Sequence, residues 1–234
     1  MTLKLKDSYS LVALLPMKAN SERIKGKNFK SFCGKPLFKW VLDTLLSCND
    51  IELIVINTDA RDILSEFGLK NSKRILIRER PLSLQGDFVS MNKIIKNDIE
   101  NIFSKNYLMT HTTNPFLSKL TIEKALEKYI YSKENNLNDS LFTVNVYQNR
   151  FYKENGEALN HDPSKLLRTQ DLEKWMEENS NLYIFSKESF LKTNNRIGEN
   201  PILFDTPKKE SIDIDNKDDW EFAKLIMNSL KSKI

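Results

Sequence analysis

The residues from Pro16 to Asn28 read Pro-Met-Lys-Ala-Asn-Ser-Glu-Arg-Ile-Lys-Gly-Lys-Asn. Lys18, Arg23 and Lys27 supply the charge that would neutralise a triphosphate. The backbone amides around Asn20 and Ser21 could donate to its oxygens. A solvated basic loop would account for the same run. The bias extends beyond the loop, since Met17 to Lys39 holds seven basic residues against one acid, Glu22. Far along the chain the sign reverses, with Asp213, Asp215, Asp218 and Asp219 close together. On a strand, Asp213 and Asp215 would share a face about 6–7 Å apart. Two such carboxylates repel unless a cation lies between them, and a hard ion such as Mg²⁺ takes oxygen ligands from carboxylates and phosphates together. A strand end with its polar residues turned outward is the alternative.

Other polar residues fall at the ends of apolar runs. Asp59 follows a strand-like run and suits a helix cap. Arg80 could meet a base or a phosphate, and Asp87 could either join it or cap the next helix. His111 ends another apolar run and is a possible general base, whereas His161 lies in a polar stretch and carries no argument.

These residues need a scaffold, and composition limits the choice. The chain has 234 residues and a net charge of +4, with only six glycines and seven prolines. Gly-rich, collagen-like and Pro-rich architectures are excluded. Neither G-x-G-x-x-G nor G-x-x-x-x-G-K-[ST] occurs, so phosphate must be held mostly by side chains. The mild net charge and the lack of interleaved aromatics argue against nucleic acid. Cys33 and Cys48 have no metal spacing and suit free thiols in a reducing cytoplasm. A signal peptide and a membrane-spanning run are not expected.

Ser10–Pro16 reads as a buried parallel strand, and Pro36 opens a helix. Strands are expected at Glu52–Asn57, Arg74–Arg78 and Tyr107–Thr110. Helices are expected at Ala60–Phe67, Asp87–Phe103 and Thr121–Tyr131. This alternation predicts an α/β fold, an open and mostly parallel sheet with helices on both faces, with ligands beyond the strands' carboxyl ends. Leu141–Tyr147 suggests a half-exposed strand and Arg150–Asn179 an excursion. The parallel theme is expected to return at Leu182–Phe185 and Ser211–Asp215, before a helix over about Lys217–Leu230.

In order, Pro16-x-Lys-x-x-Ser-x-Arg-Ile-x-x-Lys-Asn28, Gly34-Lys-Pro-Leu37, Asn57-Thr-Asp59, Arg80-Pro81 with Asp87, Thr113-Asn-Pro-Phe116, Arg168-Thr-Gln-Asp171, Asn179 with Tyr183-Ile184, and Ile212-Asp-Ile-Asp215 resemble the acylneuraminate cytidylyltransferases, the CMP-sialic acid synthetase group. The resemblance spans about Leu11 to Ile226. It implies a Rossmann-like nucleotidyltransferase fold as a single domain over residues 1–234, with a dimerisation element at about 141–180 and hence a homodimer. It also implies CMP transfer from CTP to an acidic sugar, with release of pyrophosphate.

By that resemblance Lys18, Ala19, Asn20, Ser21, Arg23, Lys27, Asn28, Arg80 and Asp87 bind nucleotide. Lys27, Arg23 and Asp215 carry catalysis, and Asp213 and Asp215 hold Mg²⁺. His111, Thr113, Arg168 and Gln170 fall where the group receives the acidic sugar. Lys18 replaces the group's arginine, His111 its glutamine, and Thr169 the second of its paired arginines. These departures leave another nonulosonate, a related 3-deoxy keto sugar acid or a phosphonate as acceptors. A non-catalytic nucleotide-sugar binding module is the competing reading.

Overall fold

The computed structural model describes residues 5–231. In chain order the elements are β1 (Tyr9–Leu14), β2 (Ser31–Phe32), β3 (Lys35–Pro36), α1 (Leu37–Ser47), β4 (Leu53–Thr58), α2 (Arg61–Glu66), β5 (Ile75–Glu79), α3 (Met91–Asn101), β6 (Ser104–Thr110), α4 (Lys119–Glu134), β7 (Ser140–Tyr147), β8 (Trp175–Phe185), α5 (Lys187–Thr193), β9 (Pro201–Asp205) and α6 (Lys217–Lys231). Seven strands form one sheet in the order β5-β4-β1-β6-β8-β7-β9, and β2-β3 form a small antiparallel pair.

The apolar runs are buried because the sheet is covered on both faces. Along β1, Leu11 and Ala13 face a layer made by α1, α2 and α4, where Phe38, Leu42, Leu64, Ile122 and Ala125 pack. Val12 and Leu14 face the opposite layer, with Ile95 and Ile99 of α3 and Phe190 of α5. Adjacent residues point to opposite faces, so a continuous apolar run serves both layers. A third cluster joins Phe32, Leu37, Phe116 and Ile214 to Trp220, Ala223 and Met227 of α6. That cluster fixes the acidic segment before α6 against the basic loop after β1.

Several expected elements are corrected. Leu182–Phe185 is not parallel to its neighbours: β8 begins at Trp175 and pairs antiparallel with both β6 and β7. Residues 175–179 of the expected excursion are therefore part of the sheet. β7 is more buried than its alternation suggested, because β9 pairs along its other edge in parallel. The helix expected from Asp87 begins at Met91, where the Ser90 hydroxyl accepts the Asn92 amide. Phe88 thus lies outside the helical stripe and is fully exposed. Ser211–Asp215 belongs to no strand, so the same-face strand geometry expected for Asp213 and Asp215 does not apply. Ile214 instead hangs on a single backbone bond, its amide donating to the Thr113 carbonyl at 2.9 Å.

Candidate active site

A cleft of about 460 Å³ opens at the carboxyl ends of the parallel strands. Its lining comes from the loop after β1 (Lys18, Ser21, Glu22, Arg23, Lys27, Asn28), from Arg80, Gly86 and Asp87 after β5, and from His111 to Thr113 after β6. Ser180, Arg196, Asp213 and Asp215 also line it, with the apolar Pro16, Met17, Val89, Met91 and Ile94. The two poles read from the sequence thus meet in one cavity.

Local bonding shapes the basic loop. Gly26 adopts φ +61°, a conformation that favours glycine, and its carbonyl accepts the amides of Phe29 at 2.9 Å and Lys30 at 3.0 Å. That turn drives Lys27 and Asn28 inward, and both are buried. The Asn28 amide group donates to the Lys18 carbonyl at 2.8 Å, and the Thr112 hydroxyl donates to Asn28 Oδ1 at 2.7 Å. Asn28 therefore ties the loop to the end of β6.

Asp59 does not cap α2, a correction to the expected role. Its Oδ1 accepts the Ala19 amide at 2.7 Å, while the Thr58 hydroxyl accepts the Ala60 amide. Of the loop residues expected at the nucleotide, Ala19 thus has its amide already engaged, and Asn20 is exposed outside the lining.

Lys27 reaches across the cleft floor. Its ammonium donates to the Ile214 carbonyl at 2.6 Å and to Asp215 Oδ1 at 3.2 Å. Arg23 reaches the other Asp215 oxygen at 3.3 Å. Asp213 sits deeper. Its Oδ1 is buried with no hydrogen-bond partner among the described residues. Burial pushes its carboxyl up, and the neighbouring Asp215 adds to this against a Thr113 hydrogen bond and Lys27. An unpartnered carboxylate oxygen beside a second carboxylate, in a cleft of basic side chains, suits a hard divalent cation. Among the described residues no group of three or more His, Cys, Asp or Glu could hold a metal ion. A cation at this pair would take its remaining ligands from phosphate and water.

Arg80 is buried at the cleft wall. Its Nε donates to Asn57 Oδ1 at 2.9 Å, and its Nη2 donates to the carbonyls of Met17 at 2.9 Å and Asn57 at 2.8 Å. Behind it the Asn57 amide group donates to Asp98 Oδ1 at 2.8 Å, and Arg78 pairs with the same carboxylate. Burial raises Asp98 to about 6, with Asn57 and Arg78 opposing. Asp87 does not cap α3; it pairs with Lys18 across the mouth, and that hydrogen bond and charge hold its carboxyl below the usual range. His111 is pushed down to about 3, first by burial and then by Arg196, with Asp215 opposing and Lys27 adding. Its imidazole is neutral at physiological pH and a weak base.

Arg168 and Gln170 are not brought to this cleft. Both are exposed in the segment between β7 and β8, where Arg168 pairs with Asp171 at 2.7 Å. Sequence reasoning missed Arg196 and Ser180. Ser180 sits in β8 with φ +54°, a strained backbone for a non-glycine residue.

A mostly parallel α/β sheet whose strand-end cleft carries cations on one wall and paired carboxylates on another defines a nucleotide-handling enzyme class. A family model described as cytidylyltransferase matches residues 12–226. The chain is 28% identical over 223 residues to a pseudaminic acid cytidylyltransferase of Campylobacter jejuni subsp. jejuni, covering 92% of this chain and 95% of that one. It is 25% identical over 228 residues to the CMP-N,N'-diacetyllegionaminic acid synthase of Legionella pneumophila subsp. pneumophila, covering 93% and 96%. The crystal structure of 4-diphosphocytidyl-2C-methyl-D-erythritol synthase from Anaerococcus prevotii superposes with a TM-score of 0.67 at 13% identity, covering 94% and 96%, which shows the shared fold. The chain belongs to the cytidylyltransferase family and is a CTP-dependent nucleotidyltransferase. No helix among the described residues is long and apolar enough to cross a membrane.

Proposed function

We propose that this protein transfers CMP from CTP to an acidic, nonulosonic-type sugar, giving the CMP-sugar and pyrophosphate. One observation carries the reading: the Lys18–Arg23–Lys27 loop faces Asp213 and Asp215 across a single strand-end cleft. The full-length likeness to enzymes named for pseudaminic and legionaminic acids supports the acceptor class.

An acceptor hydroxyl oxygen attacks the α-phosphorus of CTP in line, and its proton passes to solvent water. The P–O bond to the β-phosphate breaks, and pyrophosphate leaves with its electron pair. The leaving group is already good, so the chain's task is positioning and charge neutralisation. Lys18 and Arg23 are exposed enough to turn to the departing phosphates, while Lys27 is fixed by Ile214 and neutralises charge nearer the reacting centre. Asp213 and Asp215 would hold Mg²⁺, which when bound supplies charge neutralisation at phosphate oxygens. Arg80 keeps the Met17 carbonyl, and with it the start of the loop, in place.

The protein acts as a homodimer through about residues 141–180, where Tyr152, Leu166, Leu167 and Met176 leave apolar surface exposed. Arg168 and Gln170 lie outside their own cleft and would have to serve the acceptor from a second copy. Light scattering after size exclusion tests the dimer, and a monomeric mass at assay concentration would remove it.

The function is tested by a pyrophosphate-release screen with CTP and Mg²⁺ against pseudaminic, legionaminic and sialic acids, the 3-deoxy octulosonate and small phosphonates. Release with a nonulosonic acid is expected. Silence with every acceptor would leave a nucleotide-sugar binding module.

A further inference from the structure

Arg196 lines the cleft from the segment between α5 and β9. Its side chain is only 17% exposed. The guanidinium lies over the Tyr183 ring, 3.8 Å from its centroid. Nη2 donates to the Tyr183 hydroxyl at 2.9 Å and reaches Glu178 Oε1 at 3.4 Å. Among the described residues Nη1 has the Met109 sulfur at 3.9 Å as its only hydrogen-bond partner, a weak acceptor that leaves donor capacity on that edge. The backbone is held as well, since the Arg196 amide donates to Asn92 Oδ1 of α3 at 3.4 Å. This is an oriented guanidinium with one side anchored and one side able to bind.

Its place along the sheet matters. The order β5-β4-β1-β6-β8 puts Arg80 at one side, the Lys18–Lys27 loop next, then His111, and finally Ser180 with Arg196. Arg196, His111 and Lys27 all line this cleft, and both cations are near enough to act electrostatically on the imidazole. The phosphates have their cations on the β1 side. Arg196 is a separate cation on the far side, where an attacking acceptor must lie if the triphosphate occupies the loop. A planar fork favours a carboxylate, which it can bind through two parallel bonds.

We propose that Arg196 receives the carboxylate of the acceptor and makes the enzyme select acidic over neutral sugars. The proposal rests on the function proposed above. Nothing in the local sequence signals the role, because Arg196 follows an Asn-Asn turn with no motif around it.

The test compares wild type, Arg196→Lys and Arg196→Met. Each is assayed for pyrophosphate release with the fastest acid of the panel above and with that acid's methyl ester, and for CTP binding by calorimetry. Arg196→Met should raise KM for the acid by roughly 10- to 100-fold, the range for losing a hydrogen bond to a charged group. Its CTP affinity should stay at the wild-type value, and its KM for the ester should barely move. The wild-type preference for acid over ester should therefore collapse. Arg196→Lys keeps the charge without the fork and should fall between. If Arg196→Met fails to bind CTP, Arg196→Lys decides, because it preserves more of the packing on Tyr183. An unchanged acid-over-ester preference, or equal losses on acid and ester, overturns the proposal while leaving the function standing. Silence of the wild type with every acid overturns both.

Discussion

Replacing Lys27 by methionine keeps the aliphatic stem and removes the charge that bridges two segments nearly two hundred residues apart. Two interactions are lost. The bond to the Ile214 carbonyl is short and buried at 2.6 Å, and a charged hydrogen bond of this kind contributes about 1.5–3 kcal/mol. The pair with Asp215 at 3.2 Å involves a carboxylate whose side chain is 42% exposed, so screening limits it to about 1 kcal/mol or less. The expected destabilisation is about 2–4 kcal/mol, which for a chain of this size lowers Tm by roughly 5–15 °C. Turnover should fall at least about a hundredfold, as when one preorganised charge donor is removed. Calorimetric melting gives the first number, and saturating pyrophosphate-release rates read below the lowered Tm give the second independently. A melting temperature matching wild type would show that the Ile214 bond holds nothing. A stability loss with turnover reduced tenfold or less would make Lys27 a structural tether only. Lys27→Arg, which restores the charge, should recover more activity than stability.

Asp215→Ala should retain the fold and lose turnover by orders of magnitude; near-normal pyrophosphate release by a folded variant would exclude Asp215 from metal and phosphate handling. His111 in the free protein should stay neutral from about pH 8 down to about pH 5, since burial holds it near 3, and ring resonances that titrate near the ordinary value would contradict this. The unfolded chain protonates that histidine first, so its contribution to stability is present above about 6.5 and is lost as pH falls toward about 3. Asp98 has the opposite sign. Its folded value of about 6 lies above the ordinary 3.8, so its contribution is greatest below the ordinary value and is lost as pH rises through about 6. The melting temperature of wild type relative to Asp98→Asn should therefore decline over that window, and a flat difference would place Asp98 at an ordinary carboxylate value.

The first half of the fold was legible because each strand there is a short apolar run followed by polar residues, and the two-layer packing needs that pattern. The basic loop was legible for the same reason, since it directly follows β1. The second half obscures its geometry. The direction of β8 depends on how the long connection from β7 returns, and no local periodicity encodes that. β9 opens on a proline and is only five residues long, so it offered little signal. Asp213 and Asp215 were recognisable by residue type but not by conformation, because Ile214 is held by one backbone bond to Thr113, by the Lys27 ammonium and by the α6 cluster, not by a ladder. Asp59 was misread as a cap because capping and loop-holding draw on the same short carboxylate. Arg196 could not be found, since its place in the cleft comes from what β6, β8 and α3 put around it.

Burial divides the cations of the cleft into two kinds. Lys18 and Arg23 have side chains 40% and 62% exposed, and each is answered by one half-exposed carboxylate, Asp87 and Asp215. Such pairs are worth about 0–1 kcal/mol, so a triphosphate with several charges can displace them readily. Lys27 and Arg80 are buried, with carbonyl oxygens among their partners. Breaking those bonds would leave buried acceptors unpaired at about 1–3 kcal/mol each, so these two keep their partners and act from fixed positions. On the proposed function, nucleotide binding would be an exchange of partners at Lys18 and Arg23 within a frame set by Lys27, Asn28 and Arg80. It follows that Asp87→Asn, which releases Lys18 without touching the frame, should leave Tm near the wild-type value while changing KM for CTP. A large fall in Tm would mean that the Lys18–Asp87 pair belongs to the frame after all.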